Sequence, residues 1–263
     1  MSEFGVDVER GDDGVAWLVL RNPEKLNAVR LEMWRAIPPA LAALDADPAV
    51  RVIVVRGFGD DAFVSGADIS EFATHRKDAS SAAAYEAVTA EAFTAIAVCP
   101  KPVVAMLQGA CIGGGLAIAV CADLRIAADD TKLALPPARL GLGYHLAGIE
   151  RIVQVVGPST AAEMVFTARQ YTATEALAVG LVNRVVPKST LVAETTRYVR
   201  DIASNAPLTL RAAKRAIAEA QRAAGERDAA AVARLVSACF ESDDYAEGVR
   251  AFLEKRRPRF TGR

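Results

Sequence analysis

Two glycine-containing segments carry the residues best suited to chemistry, and in both the useful group is a backbone amide. The first is Ser65-Gly66-Ala67-Asp68, where Gly66 allows another chain segment to pass close to the N–H of Ala67. The second is Gly113-Gly114-Gly115, which runs from a predicted strand into an apolar helix. The first N–H groups of a helix lack acceptors within it and lie at its positive end. This pattern predicts a site that stabilises an oxyanion.

Each segment also has a purely structural interpretation. Asp68 could cap a helix through its side chain, and the three glycines could let a helix pack closely on a sheet. No lysine follows the glycines and their spacing is not GxGxxG, so the second segment is not typical of a phosphate-binding loop. On these residues alone, the chemical and the structural interpretations both stay open.

The elements that must position these segments are short apolar strands alternating with alanine-rich helices. Uniformly apolar strands are typical of a sheet that helices cover on both faces. We therefore expect an α/β fold built from ββα or βαβ units. The predicted strands span residues 15–20, 50–55, 102–107, 124–127 and 182–186.

Helix signals become stronger toward the C-terminus. Thr172 and Glu175 match the pattern of a capping box, Gly180 marks a helix end, and Pro207 opens a further helix. One predicted helix, over residues 31–44, contains adjacent prolines at positions 38 and 39. Proline removes a backbone donor and clashes with the preceding turn, so we expect a break or a kink there.

The composition excludes several classes of function. The chain has 263 residues, 52% of them hydrophobic, which is enough to bury a large core. Its net charge of −1 argues against a nucleic-acid-binding surface. The N-terminal segment has neither a basic region nor an apolar region of the kind found in signal peptides. We expect a soluble cytoplasmic protein with no nucleic acid and no membrane among its partners.

The cysteines and histidines do not form a recognisable site. Cys99, Cys111, Cys121 and Cys239 include no CxxC pair, and they show no metal-binding spacing with the two histidines. Free cysteine is commonly buried and no base is paired with one in the sequence. We expect reduced, buried thiols and no metal site.

Taken together, the two glycine segments resemble those of the enoyl-CoA hydratase/isomerase (crotonase) superfamily in order, spacing and context. The resemblance covers nearly the whole chain. That superfamily holds an acyl-CoA thioester carbonyl between two backbone N–H groups, which match Ala67 and Gly114 here. Further matching segments span residues 22–28, 65–69, 121–125, 178–183 and 251–256.

The resemblance implies a fold, an assembly and a set of binding residues. It implies a crotonase (ClpP-like) spiral of ββα units with the acyl-CoA site over residues 1–195, followed by a helical trimerisation region over residues 196–263. It implies a homotrimer or a dimer of trimers, and no cofactor apart from coenzyme A as part of the substrate. The implied CoA-binding residues are Lys25, Leu26, Ala28, Ala67, Asp68, Ile69, Gly114, Phe252 and Lys255. For Phe252 and Lys255, a hydrophobic helix face with a solvated basic end is the alternative.

The chain departs from the superfamily where hydratases carry two catalytic glutamates. Those positions match Ala117 and Pro137, neither of which titrates. Losing a positioned acid or base typically lowers the rate by about 10²–10⁴-fold. Ordinary hydration should therefore be slow or absent unless another group takes over. Decarboxylation of a malonyl-type thioester needs no side-chain base, because loss of CO₂ generates the enolate directly.

Residues 140–149 resemble the methylmalonyl-CoA decarboxylase branch of the superfamily. By that likeness Tyr144 would orient the substrate carboxylate, and the alternative is an aromatic residue that fills the core. His145 could protonate the enolate carbon, or it could be an exposed loop histidine. The chain departs from that branch too, because Ala67 matches a histidine there and Ala117 a retained glutamate.

Three hypotheses follow. The first is an acyl-CoA lyase, decarboxylase-like, that uses the N–H groups of Ala67 and Gly114 together with Tyr144. The second is a divergent enoyl-CoA hydratase or isomerase whose acid or base is replaced. Glu71, His75, His145 and Glu150 are its candidates, although exposed glutamates are usually solvated. The third is an acyl-CoA binder without catalytic activity, since a fold alone does not fix function.

Overall fold

The computed structural model describes residues 4–11, 13–144 and 146–263. Its strands form two sheets. They are β1 (Gly5–Arg10), β2 (Val15–Arg21), β3 (Val52–Gly57), β4 (Ala62–Val64), β5 (Val103–Leu107), β6 (Ala110–Ile112), β7 (Leu124–Ala128), β8 (Lys132–Ala134), β9 (Tyr171–Thr172) and β10 (Arg184–Val186). All five strands predicted from the sequence are present, with bounds shifted by up to two residues.

The helices lie between and after these strands. They are α1 (Leu31–Ala46), α2 (Phe72–His75), α3 (Ala79–Val98), α4 (Gly114–Cys121), α5 (Leu146–Thr167), α6 (Ala173–Ala178), α7 (Leu191–Ala203), α8 (Pro207–Ala220), α9 (Ala229–Phe240) and α10 (Asp243–Leu253). The α/β class expected from the sequence is confirmed, and so is the helical C-terminal region.

The chain winds through the two sheets in repeated ββα units. The six-stranded sheet has the order β1-β2-β3-β5-β7-β10 and the four-stranded sheet the order β4-β6-β8-β9. The pairs β3 with β4, β5 with β6 and β7 with β8 each place their first strand in the larger sheet and their second in the smaller one. Neighbouring strands from successive units pair in parallel. Each unit ends in a helix, so the segments that follow β4 and β6 lie in adjacent turns of the spiral.

The central strands of the larger sheet are buried on both faces, which explains why β5 is apolar at every position and β3 at its first four. In β3, Ile53 and Val55 face the main core together with α1 and α3, while Val52 and Val54 face the other side. On that side the sheet is covered by α7, through residues that include Val199. Side chains alternate between faces along a strand, so both faces need apolar residues here.

Two of the helix predictions can be compared directly with the structure. Thr172 and Glu175 form the predicted capping box at the start of α6, and Gly180 follows that helix with φ 73°. Of the two alternatives predicted for α1, the break is wrong, because the helix continues through Pro38 and Pro39, and the kink stays a prediction. Its apolar face is buried in the core on both sides of the prolines, and this packing holds the helix together despite the missing donors.

The C-terminal helices leave large apolar side chains in solvent. Phe252 is 82% exposed, and Phe240 and Leu253 are also exposed. Helix α7 spans the division expected between residues 195 and 196, and Val199 and Ala203 are buried against the sheet. Helix α7 thus packs with the core. The division of the chain into a core region and a C-terminal trimerisation region stays a proposal.

In the described part of the chain, no helix combines the length and the apolar character needed to cross a membrane.

Candidate active site

The backbone N–H of Ala67 is left free by the pairing that holds its loop. Val29 and Ala67 form an isolated parallel bridge. In it, Val29 N donates to Gly66 O at 2.8 Å and Asp68 N donates to Val29 O at 3.0 Å. Parallel pairing of this kind uses the neighbours of Ala67, so the N–H of Ala67 points away from Val29. Across residues 4–11, 13–144 and 146–263, no protein acceptor receives a hydrogen bond from it.

The second glycine segment places another free donor at the start of a helix. Gly113 is the residue before α4, and its N–H donates to Ala134 O at 2.8 Å in the neighbouring turn of the spiral. Gly114 is the first residue of α4, so its N–H has no acceptor within the helix. Gly115 is required for packing, because a Cβ there would lie 2.2 Å from Val64 O. The structural interpretation of this segment is therefore also correct.

The two donors border one space. A Cβ added to Gly114 would lie 3.4 Å from Ala67 N and 3.2 Å from Cζ2 of Trp34. Gly114 thus approaches the nitrogen whose N–H is turned away from Val29. An oxygen in this space could accept from two amides at the positive end of a helix, which is the arrangement that stabilises an oxyanion.

An ion pair between an exposed lysine and a buried carboxylate fixes the loop that carries Ala67. Lys25 Nζ donates to the two carboxylate oxygens of Asp68 at 3.0 and 2.8 Å, and to Ser70 Oγ at 2.7 Å. Asp68 is 3% exposed, and its carboxylate also accepts from Ser70 N at 3.1 Å as a helix cap. Burial alone would raise the pKa of Asp68, but the hydrogen bonds from Lys25 and Ser70 outweigh it and lower the pKa.

Six of the predicted CoA-binding residues lie on two adjacent loops. Ser65 joins these loops, because its N–H donates to Leu26 O at 3.0 Å and its hydroxyl to Lys25 O at 2.8 Å. Two apolar side chains there are open to solvent, Leu26 at 46% and Ile69 at 58% exposure. The six residues are Lys25, Leu26, Ala28, Ala67, Asp68 and Ile69. Phe252 and Lys255 belong to the C-terminal segment, and no described contact joins them to these loops.

The positions of the superfamily's glutamates carry no charge. Ala117 is half-buried in α4, and Pro137 is buried at the start of a 3-10 turn, Pro137–Leu140. Glu71 does not replace them, because its oxygens accept from Arg30 Nε at 2.9 Å and from Leu31 N at 2.8 Å. Glu71 is largely buried at the start of α1, so it is not a solvated surface charge either.

The other candidate acids and bases differ in how far they are exposed to solvent. His75 is half-buried at the end of α2, and Glu150 is exposed on α5. His145 lies outside the described residues. Tyr144 is half-buried and packs against the main core, and a Cβ on Gly148 would lie 3.4 Å from its ring. Burial raises the pKa of Tyr144, against the effect of the positive charge of Arg76, so its hydroxyl stays protonated and can donate.

Sequence reasoning missed a cluster that lies behind the two donors. Trp34 Nε1 donates to Tyr85 Oη at 2.9 Å. The guanidinium of Arg76 lies 4.9 Å from the ring centres of both Phe72 and Tyr85.

The cysteine expectation is confirmed for three residues. Cys99, Cys111 and Cys121 are buried and Cys239 is half-buried. Burial raises the pKa of all three buried thiols, that of Cys121 to about 11, so they stay protonated and unreactive. Within the part of the chain that the structure describes, no three His, Cys, Asp or Glu side chains lie close enough to hold a metal ion.

The sequence and the structure of this chain are similar to those of known proteins. The family model for enoyl-CoA hydratase/isomerase matches residues 10–263. The chain is 34% identical over 249 residues to a crotonyl-CoA hydratase from Syntrophomonas wolfei, covering 95% of each chain. It is 33% identical over 260 residues to a peroxisomal Delta(3,5)-Delta(2,4)-dienoyl-CoA isomerase from Arabidopsis thaliana, covering 95% of this chain and 93% of the relative.

A solved structure from Magnetospirillum magneticum, described as an enoyl-CoA hydratase/carnithine racemase, superposes with a TM-score of 0.92 at 36% identity. The match covers 98% of this chain and 96% of that one. The expected spiral fold is thereby confirmed.

Proposed function

Because the chain belongs to the enoyl-CoA hydratase/isomerase family, we propose that its site binds an acyl-CoA thioester with the thioester oxygen between the N–H groups of Ala67 and Gly114. The observation that carries this proposal is the space that the two free donors share. Charge gathers on the thioester oxygen when an enolate forms, and each donor could stabilise that transition state by about 3–4 kcal/mol. The same hole serves hydration, double-bond migration and decarboxylation.

Among these reactions we place hydration or isomerisation of an enoyl-CoA first. Relatives named crotonyl-CoA hydratase and dienoyl-CoA isomerase support this order over the decarboxylase-like reaction that residues 140–149 resemble. Ala117 and Pro137 cannot move protons, so another group must do so. The proposed group is His145, whose imidazole titrates near neutrality and which follows Tyr144 in the chain. Glu71 is not proposed, because two donors already hold its carboxylate.

Decarboxylation of a malonyl-type thioester is the second candidate. It is favoured by the lack of a titratable side chain at positions 117 and 137, since loss of CO₂ produces the enolate without a base. Tyr144 would then orient the departing carboxylate through its protonated hydroxyl. Loss of CO₂ leaves the electron pair on the α-carbon and the thioester oxygen, and a proton from solvent or His145 completes the product.

The remaining roles follow from the position of the two loops. Lys25 and Asp68 hold the loop of Ala67, and the exposed side chains of Leu26 and Ile69, with the backbone of Ala28, would contact coenzyme A. The coenzyme is part of the substrate, and we propose no other cofactor. The exposed apolar residues of the C-terminal helices support a homotrimer or a dimer of trimers, in which Phe252 and Lys255 would reach a neighbouring subunit's coenzyme A.

The test is a panel of thioesters incubated with the purified protein. Crotonyl-CoA reports hydration through loss of its conjugated absorbance, 3-enoyl-CoA reports isomerisation through its gain, and malonyl- and methylmalonyl-CoA report decarboxylation through released CO₂. We expect turnover of an enoyl-CoA that disappears in His145→Ala. Turnover of only the malonyl-type thioesters would favour the second candidate. Thermal stabilisation by CoA esters without any product would favour the hypothesis of an acyl-CoA binder without catalytic activity. If the protein neither bound nor converted any thioester, the proposed function would be overturned.

A further inference from the structure

Arg76 is a largely buried arginine, and one of its donors has no acceptor in the described part of the chain. Its side chain is 16% exposed, although a guanidinium carries five N–H donors. Nη2 donates to Glu86 Oε1 at 3.2 Å. Nε is fully buried and has no hydrogen-bond partner among the residues that the structure describes. Buried donors are almost always satisfied in folded proteins, so Nε–H is a candidate to donate to an oxygen from outside the protein.

The surroundings of Arg76 fix its position but do not accept its N–H. The guanidinium carbon lies 4.9 Å from the ring centres of Phe72 and Tyr85. These two rings meet edge to face, with centroids 6.2 Å apart. Contact with ring faces stabilises the positive charge, but it leaves donors in the guanidinium plane free to bind an oxygen.

A short chain of contacts connects Arg76 to the proposed oxyanion hole. Tyr85, which lies against Arg76, accepts a hydrogen bond from Trp34 Nε1 at 2.9 Å. The same indole reaches within 3.2 Å of the Cβ position on Gly114. Tyr144 also lies within the electrostatic reach of Arg76. Arg76 therefore lies beyond Tyr85 and Trp34 from Gly114. The inference takes this side of Gly114 as the direction in which the bound acyl chain extends.

We propose that the Nε–H of Arg76 binds an oxygen on the acyl chain of the substrate, away from the thioester. The substrate class is then an acyl-CoA whose chain carries a carbonyl or carboxylate oxygen, rather than a plain hydrocarbon chain. This inference rests on the proposed function, because it assumes that the thioester lies between Ala67 and Gly114. Glu86 balances the charge of Arg76, so a neutral carbonyl can bind without leaving an unpaired charge. A carboxylate would bind through the same donor with charge assistance.

Calorimetric titration with matched thioesters tests the proposal. At each of three chain lengths, from four to eight carbons, the ligands are the unsubstituted acyl-CoA, its oxo derivative and the ω-carboxyl derivative. The wild-type protein should bind an oxygenated ligand about tenfold more tightly than the hydrocarbon at one length at least. The derivative preferred identifies a neutral or a charged oxygen, and either result supports the proposal.

Variants separate recognition by Arg76 from a structural role. Arg76→Met should abolish the preference while binding of the hydrocarbon thioester changes by less than about twofold. Arg76→Lys keeps the charge beside Glu86 but lacks Nε–H, so it should fold and also lose the preference. Lys77→Met removes the same charge from the exposed neighbouring residue and should keep the preference.

Two outcomes would overturn the inference. One is equal affinity of the wild-type protein for all three ligands at every length. The other is a preference that survives in Arg76→Lys. In both cases the thioesters still bind, so the proposed function would stand. If no thioester bound the wild-type protein at all, the proposed function would fail together with the inference.

Discussion

The Cβ position of Gly114 lies 3.4 Å from the backbone nitrogen of Ala67, although 47 residues separate the two in the chain. Gly114 begins α4, and Ala67 lies in the loop after β4. Because β4 and β6 are adjacent parallel strands, the segments that follow them emerge at the same edge of the smaller sheet. The spiral therefore brings together two amides that have no other acceptor among the described residues. The proposed chemistry depends on this proximity.

Filling the space between the donors should inactivate the protein. In Gly114→Ala the new methyl group would lie 3.4 Å from Ala67 N and occupy the place of the thioester oxygen. We expect kcat/KM to fall by about 10²–10³-fold for the thioester that the wild-type protein converts fastest. Gly225→Ala adds the same methyl group where nothing lies within 4 Å, and it should leave the rate unchanged. Equal rates in the two variants would contradict the placement of the oxyanion.

Removing the charge of Asp68 should weaken the loop in a pH-dependent manner. Asp68→Asn loses the ion pair with Lys25, and we expect the free energy of unfolding to fall by about 1 kcal/mol at pH 7. The pKa of Asp68 is lowered in the folded protein, so its contribution is present above its unfolded pKa of about 4 and is lost as the pH falls further.

The difference between the wild-type protein and Asp68→Asn should therefore shrink in urea unfolding below pH about 4. Glu24→Gln is the matched control, because Glu24 is exposed in the neighbouring turn. A difference that stays constant across this pH range would show that the ion pair does not hold the loop.

Restoring the superfamily's two glutamates should increase hydratase activity. In the double variant Ala117→Glu and Pro137→Glu, carboxylates would stand at the two positions that match the superfamily's catalytic glutamates. We expect hydration of crotonyl-CoA to rise by about 10²-fold over the wild-type rate. The double variant with glutamine has similar side-chain volumes and no titrating group, so it should show no gain. A wild-type protein that already matches the glutamate variant must use a different acid and base.

Introducing charge on the exposed apolar face of the C-terminal helices should dissociate the proposed oligomer. Phe252 is 82% exposed in the single chain, and burying a glutamate at a subunit interface is unfavourable. Light scattering should show a trimer or hexamer for the wild-type protein and smaller species for Phe252→Glu. Val98→Glu changes a similarly exposed residue of α3, outside that helical region, and should preserve the assembly. A monomeric wild-type protein would refute the proposed trimer.

The central strands of the larger sheet could be predicted from sequence because they are buried on both faces. Residues such as Val52 to Val55 form an apolar run that only a doubly covered strand explains. The partner strands β4, β6 and β8 have three residues each, too few to show a period of two. The continuation of α1 through Pro38 and Pro39 could not be predicted from local sequence preferences either, because tertiary packing stabilises that helix.

The two backbone donors could be predicted because the glycines beside them, in the two glycine-containing segments, can be recognised in the sequence. The cluster around Arg76 leaves none, since Trp34 and Tyr85 are 51 residues apart and meet only in the folded chain. Similarly, the sequence marks Glu71 as an acid, and only the structure shows that Arg30 and the N–H of Leu31 already bind it. Such pairings depend on tertiary contacts, for which spacing along the chain gives no rule.

The most direct measurement of the central claim is a crystal structure of the protein with a non-reactive acyl-CoA thioester analogue. The account predicts that the thioester oxygen lies within about 3.2 Å of both Ala67 N and Gly114 N, with both N–H groups directed at it. A thioester oxygen bound elsewhere, or either N–H paired with a protein carbonyl in the complex, would contradict the account.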